Sequence, residues 1–172
     1  MALLVLSVVG SDRPGLTEAL ASAVLSAGGN WLESRLSRLG GLYVGSVLVE
    51  LEAEGVERLR DAARGVDAQG LEVRIAPAVE SAGAAGEALG FTLVGQDQPG
   101  IVRQVTAALS GLGANIETFE TWIGAEPHSG APLFNMAATL QLAPGVRAGD
   151  VQATLEAISA EIMVDITINA AQ

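Results

Sequence analysis

The chain alternates between short apolar segments and glycine-containing turns, in an order that predicts strands and helices. The nearly unbroken apolar run over 3–9 is typical of a buried strand. A turn over 10–15 ends in Pro-Gly, which suits the start of a helix. Apolar residues then recur at helical spacing from Leu16 to Val24, and Gly28 marks the end of that helix.

The next segment predicts two strands joined by a tight turn. A strand is predicted over 30–39, and the Gly40-Gly41 pair is typical of a hairpin. Apolar and polar residues then alternate over 45–52, which predicts a strand with one buried face. A helix near 56–64 and an alternating strand over 71–75 follow. The order β-α-β-β-α-β predicts an α+β, ferredoxin-like fold, in which a four-stranded antiparallel sheet carries two helices on one face.

The motif Gly-x-Asp-x-Pro-Gly occurs twice. It occupies 10–15 and again 95–100, which is 85 positions later. The same offset carries Asn30, behind the predicted helix, onto Asn115. A fixed internal period of this length indicates two copies of one small domain.

The repeat sets the predicted domain organisation. We predict a first domain over 1–80, a linker over 81–89 and a second domain over 90–172, with its last strand over 162–168. The offset changes from 85 to 91 within 123–132, which indicates a six-residue insertion in a hairpin loop. A domain this small buries only about 60% of the surface of its chain and is marginally stable alone. The first strand is also apolar on both faces. We therefore expect the domains to pack on each other or on a second copy, as a homo-oligomer.

Composition and charge narrow the function. The chain has 9 basic and 20 acidic residues and a net charge of −11, which disfavours direct binding to nucleic acid or to an anionic membrane. It has no cysteine and one histidine, so we expect neither a transition metal nor another cofactor. Nothing resembles an activated nucleophile, and we expect no enzyme. The absence of cysteine fits a cytoplasmic location.

The repeated turn is the one constellation with suitable chemistry. Backbone N–H groups at a helix N-terminus suit a carboxylate, and Asp12 or Asp97 could hold an ammonium group. We expect the amide of Asn30 or Asn115 to approach the same turn. An α-amino acid needs both a carboxylate and an ammonium partner. The alternative is that Asp caps the helix while Gly and Pro only shape the turn.

The two motif segments, over 8–16 with 28–30 and over 93–102 with 113–116, resemble the ACT domain. The whole chain resembles tandem ACT proteins of the glycine cleavage repressor type. The resemblance implies a non-catalytic sensor that binds an amino acid at an interface between two ACT domains, and that acts through a DNA-binding partner protein. It nominates as ligand-binding residues Asp12, Arg13, Pro14, Gly15 and Asn30 in the first copy, and Asp97, Gln98, Pro99, Gly100 and Asn115 in the second.

The sequence departs from the family pattern at specific positions. Many amino-acid-binding members carry Asn where Asp12 and Asp97 stand, and Trp31 replaces a small aliphatic residue. We therefore expect the second copy to bind the ligand. Two other functions stay open: a protein-interaction module that binds no small ligand, and an acylphosphatase-like enzyme that uses Arg13 and Asn30.

Overall fold

The fold was obtained as a computed structural model, which describes residues 1–79, 86–126 and 129–170. The chain divides into two compact units, a first unit Met1–Glu80 and a second unit Ser81–Gln172. Each contains one four-stranded antiparallel sheet and two helices in the order β-α-β-β-α-β. The predicted ferredoxin-like fold class is thereby confirmed.

Both units have the same strand order. The first unit consists of β1 (Ala2–Ser11), α1 (Leu16–Ser26), β2 (Asn30–Leu39), β3 (Leu42–Leu51), α2 (Gly55–Asp67) and β4 (Leu71–Pro77). The second consists of β5 (Ala88–Gln96), α3 (Ile101–Gly111), β6 (Asn115–Ala125), β7 (Pro132–Gln141), α4 (Ala148–Ile162) and β8 (Val164–Ala170). The sheets run β2-β3-β1-β4 and β6-β7-β5-β8, so β2 and β6 are edge strands.

The strand registers of the two units correspond residue by residue. Leu4 lies opposite Val49 in the first sheet, and Leu89 lies opposite Leu140 in the second. These pairs reproduce the two sequence offsets, so the added residues lie in the hairpin between β6 and β7. The predicted inward face of the third strand is confirmed, because Val47, Val49 and Leu51 are buried, as are their counterparts Ala138, Leu140 and Leu142.

Each unit has its own hydrophobic core between the sheet and its helices. In β1 the buried residues alternate as Leu4, Leu6 and Val8, and they pack with Leu20 of α1 and Leu59 of α2. Fully burying a side chain of this size contributes about 1.5–3 kcal/mol. The core of the second unit is built in the same way from its own residues. Within the described residues, no helix is long and apolar enough to cross a membrane.

Two predicted boundaries differ from the structure. Strand β5 begins at Ala88, inside the range predicted as linker, because Leu89 is 3% exposed and belongs to the core. Residues 81–85 of that range lie outside the described residues. Ile162 ends α4 instead of starting the last strand, because its side chain is 2% exposed in the helical core. The turn between α4 and β8 is made by Met163, whose φ of 50° is left-handed.

The first glycine of each motif allows a close approach of two backbones. A Cβ on Gly10 would clash with the carbonyl oxygen of Gly70, in the turn that follows α2. A Cβ on Gly95 would lie 2.6 Å from the carbonyl oxygen of Met163, at the end of α4. No other residue type fits at that distance, so both glycines position the turn against the end of the second helix of their unit.

Candidate functional site

The last glycine of each motif is the N-cap of a helix. Gly15 and Gly100 have φ values of 94° and 100°, which side chains other than glycine's rarely adopt. A Cβ at either position would meet nothing within 4 Å, so backbone conformation and not space requires glycine. The first helical hydrogen bonds run from Ala19 N to the Gly15 oxygen at 2.9 Å, and from Gln104 N to the Gly100 oxygen at 3.0 Å.

Both helices begin without a side-chain cap. Neither Asp12 nor Asp97 accepts a hydrogen bond from its helix, because Gly15 and Gly100 hold the cap positions. The alternative hypothesis, in which the aspartate caps the helix, is therefore wrong. Pro14 and Pro99 lie exposed in the turn. The N–H groups of the first helical turn, with the helix dipole, are suited to an anion.

The two aspartates have different surroundings. Asp12 Oδ2 lies 3.2 Å from Arg38 Nε, so its charge already has a partner. Ile123 takes the place of Arg38 in the second unit. Asp97 is exposed and forms no ion pair with another described residue. The second turn therefore offers an uncompensated carboxylate, and the first does not.

Arg13 and Gln98, both predicted ligand residues, face the end of the second helix of their unit. Gln98 Nε2 donates a hydrogen bond of 2.6 Å to the carbonyl oxygen of Ile162. The Arg13 guanidinium lies beside Gly70, with a nitrogen 3.6 Å from the position a Cβ there would take. Gln98 thus ties the second turn to the end of α4, whereas Arg13 lies beside the end of the first unit's second helix without a hydrogen bond to it.

The expectation that Asn30 and Asn115 approach the turn of their own unit is wrong. Asn30 lies opposite Glu50, which lies opposite Leu3 near the start of β1, whereas the turn follows Ser11 at the other end. At about 3.3 Å per residue, the asparagine is about 25 Å from the turn. The reason is that α1 runs back along the sheet, so β2 begins at the end of the sheet where β1 begins and not at the end where the turn lies.

The second unit has the same arrangement. Asn115 lies opposite Gln141, which lies opposite Ala88 at the start of β5, whereas the turn follows Gln96. The Arg13 and Asn30 pair that an acylphosphatase-like site would need is likewise at opposite ends of the first sheet. No single unit therefore contains the complete set of predicted residues in one place.

A cavity of about 540 Å³ lies beside Asn115, between α3 and the start of β6. Its polar lining comes from Arg103, Thr106 and Ser110 on one face of α3. The Thr106 hydroxyl donates to the carbonyl oxygen of Val102 at 2.8 Å, so the guanidinium, the Ser110 hydroxyl and the Asn115 amide are the groups that suit a carboxylate or another polar anion. Sequence reasoning missed this group, although the spacing i, i+3, i+7 on one helix was available to find it.

The equivalent helix face of the first unit has the opposite charge. Glu18 stands in place of Arg103, and Leu25 in place of Ser110. Glu18 accepts a hydrogen bond of 2.8 Å from Ser22, and Leu25 is 75% exposed. The first unit thus lacks the cation and the hydroxyl of the second, which makes the Asn115 side of the second unit the better anion site.

A polar contact beside the first turn also has no equivalent in the second. Thr17 Oγ1 and the Tyr43 hydroxyl lie 2.7 Å apart and link α1 to β3. Val102 and Phe134 take these positions in the second unit. The two turns share their backbone but differ in the side chains around it.

Comparison with known proteins finds one family model and several solved structures that match this chain. Residues 2–76 match the family model of the ACT domain, so the first unit belongs to the ACT-domain family. The second unit repeats the topology of the first, so the chain has a tandem ferredoxin-like fold. The solved structure of an unknown protein from Galdieria sulphuraria is 29% identical, with a TM-score of 0.86 and 99% coverage of both chains.

The chain is also similar in structure to a protein whose function has been provisionally assigned. That protein is provisionally assigned as a glycine cleavage system transcriptional repressor, and it is 17% identical with a TM-score of 0.72. The match covers 99% of this chain and 98% of the other, and at this identity it shows a common fold. No curated protein sequence matches the chain.

Proposed function

We propose that the protein is a non-catalytic cytoplasmic regulator, which binds an amino acid at an interface between ACT domains and thereby changes its association with a partner protein. The observation that carries this proposal is the repeated turn. Each copy presents an uncapped helix N-terminus behind a left-handed glycine, next to an aspartate. These groups match the carboxylate and the ammonium of an amino acid.

The position of the asparagines supports a site shared between two domains. Asn115 is about 25 Å from the turn of its own unit, but it begins an edge strand. If two such edge strands pair antiparallel, the start of one lies beside the end of the other. The asparagine of one domain then lies at the same end of the joined sheet as the turn of the next, which its own fold does not allow.

The charges favour the second unit for ligand binding. Asp97 has no ion-pair partner among the described residues, whereas Asp12 is paired with Arg38. Asn115 adjoins a cavity that includes Arg103, where the first unit has Glu18. Asp97 is therefore the better partner for the ammonium group, and the Asn115 side of the second unit is the more suitable one to complete the site of an adjoining domain.

The relative provisionally assigned as a glycine cleavage system repressor suggests which ligand and which partner to test first. Glycine and other small amino acids are the first ligands to test. A net charge of −11 disfavours direct contact with DNA, so the proposed partner is a DNA-binding regulator and not DNA. The ligand changes this association only if it binds the free and partner-bound states with different affinity.

Thermal unfolding against a panel of the twenty amino acids tests the proposal. A ligand at a hundred times its Kd stabilises the folded state by about 2.7 kcal/mol, which raises the melting temperature. We expect a shift with one or two amino acids. Asp97→Ala removes this shift, while the matched variant Asp12→Ala leaves most of it. If no amino acid raises the melting temperature while the protein still binds a protein partner, the protein is an interaction module and not a sensor.

A further inference from the structure

The cavity beside the start of β6 has a lining that suits one kind of ligand. One wall is the face of α3 that carries Arg103 and Ser110, and the other is the start of β6 at Asn115. These three residues are exposed, so the cavity opens to solvent and a ligand can enter it without a change in the fold. Its volume of about 540 Å³ lies within the range of small-molecule sites.

Arg103 supplies a positive charge to this cavity. Its guanidinium forms no ion pair with another residue in the described part of the chain. A guanidinium presents two parallel N–H groups, which match the two oxygens of a carboxylate. Because the Thr106 hydroxyl donates to the carbonyl oxygen of Val102, the Ser110 hydroxyl is the one that suits a further hydrogen bond to the ligand.

The rest of the lining is small and apolar. It consists of Ala107, Ala114 and Ile116, of which the last two pack against the core of the second unit. A short aliphatic chain placed there removes apolar surface from water. An ammonium group placed there would be unfavourable, because the lining contains no acidic residue and already contains the Arg103 guanidinium. The lining therefore favours a carboxylate without an amino group over an amino acid.

The charge of the second unit limits the ligand further. Residues 81–172 contain two arginines and nine acidic residues. An electrostatic field of this sign repels a polyanion such as a nucleotide, whereas a single carboxylate is compensated by one guanidinium. The ligand class that fits both the cavity and its surroundings is thus a monoanion.

The equivalent place in the first unit lacks these features. Trp31 stands where the second unit has Ile116, and its larger side chain packs partly buried against the first core. Glu18 replaces Arg103, and Leu25 replaces Ser110. A negative charge repels a carboxylate, and the indole takes up space that Ile116 leaves open. The two copies therefore differ in every feature that such a ligand needs.

We propose that the cavity of the second unit binds a small aliphatic carboxylate without an amino group. Its carboxylate lies on Arg103 and Ser110, and its carbon chain lies against Ala114 and Ile116. This site goes beyond the proposed function and does not depend on it, since it requires neither Asp97 nor a second domain. A chain with both sites responds to two chemically distinct small molecules.

Calorimetric titration with isovalerate tests the site, with valine and isovaleramide as matched probes. Valine adds an ammonium group to the same carbon skeleton, and isovaleramide removes the negative charge. The titrations use the full chain with Asp97→Ala, in which the proposed amino-acid site is disabled. We expect isovalerate to bind at a single site per chain, and the other two probes to bind roughly tenfold more weakly or less. Absence of isovalerate binding, or equal affinity for isovalerate and either matched probe, would overturn the proposal.

Two substitutions locate the bound ligand. Arg103→Gln is expected to weaken isovalerate binding roughly tenfold or more, because it removes the charge and keeps a polar side chain. Ile116→Trp introduces the residue that the first unit has at this position, and it is expected to abolish binding by filling the cavity. Arg60→Gln on α2 is the matched control and is expected to bind isovalerate normally.

Urea unfolding of each variant verifies that the fold is retained. If Arg103→Gln and Ile116→Trp both fold and bind isovalerate as tightly as the parent, the ligand lies elsewhere and the proposal is wrong. The two proposals fail separately. Isovalerate binding that Arg103→Gln abolishes, together with a flat amino-acid panel, would sink the proposed sensor and leave this site in place.

Discussion

Arg38 Nε lies 3.2 Å from Asp12 Oδ2, so the end of β2 is tied to the turn that follows β1. The two side chains are 71% and 37% exposed. An exposed pair of this kind contributes about 0.2–1 kcal/mol. Its main effect is on charge, since it neutralises the first aspartate while the second has no ion-pair partner among the described residues.

A double-mutant cycle of Asp12→Asn and Arg38→Gln measures this pair. We expect a coupling free energy of unfolding of about 0.2–1 kcal/mol in low salt, because solvent screens both groups. The coupling falls further in about 1 M salt, where the Debye length is about 3 Å. Urea unfolding of the four proteins gives the value. A coupling of several kcal/mol, or one that salt does not change, would contradict it.

The two cap glycines provide a sharper test of backbone conformation. Gly15→Ala and Gly100→Ala each place a Cβ in open space but at a left-handed φ, so we expect each to destabilise its unit by about 1–2 kcal/mol. Gly65→Ala is the matched control, because Gly65 lies inside α2 with nothing within 4 Å of its Cβ position and no positive φ. It should stabilise by up to about 1 kcal/mol. Equal effects from all three substitutions would show that φ is not the cause.

Met163 allows the reverse substitution, in which glycine replaces another residue at a left-handed φ. It has a φ of 50° at the end of α4, where the first unit has Gly70 with a φ of 93°. Since Met163 is 57% exposed, Met163→Gly loses little packing and removes left-handed strain. We expect stabilisation of about 0.5–1 kcal/mol by chemical denaturation. The reverse change in the first unit, Gly70→Met, is expected to destabilise, and a neutral result there would argue against strain.

Core truncations are expected to act on one unit each. Leu59→Ala and Leu155→Ala both remove a side chain that is 0% exposed, which costs about 2–5 kcal/mol. Native-state hydrogen exchange locates the loss, with faster exchange confined to residues 1–79 for the first variant and to the described part of the second unit for the other. Loss of protection throughout the chain from either variant would show that the two cores are coupled.

The fold was largely predictable because it depends on local patterns. Alternation in the third strand gave the buried face of β3 correctly, and the doubled motif located both helix starts. Element ends were less predictable, as Ile162 shows: its apolar character fits a strand or a helix end, and only the packing of α4 decides. Tertiary burial overrode the local pattern there.

The candidate site was less predictable, because it depends on contacts across long sequence separations. Gln98 and Ile162, which share a hydrogen bond, are 64 residues apart, and nothing local links them. The prediction puts Asn30 at the wrong end of the sheet, because a place after the helix does not by itself show the direction in which that helix runs. The structure shows that direction: β3 lies between β1 and β2 and is antiparallel to both, so β1 and β2 run the same way and α1 must return along the sheet.

Each unit builds its hydrophobic core from its own residues. A duplicated chain of this kind is free to diverge at its edges without losing either fold. Two identical copies would offer identical edge strands, with the same charges at every equivalent position. Because the two cores are separate, Arg35 of β2 and Glu120 of β6 hold opposite charges at equivalent exposed positions, outside either core.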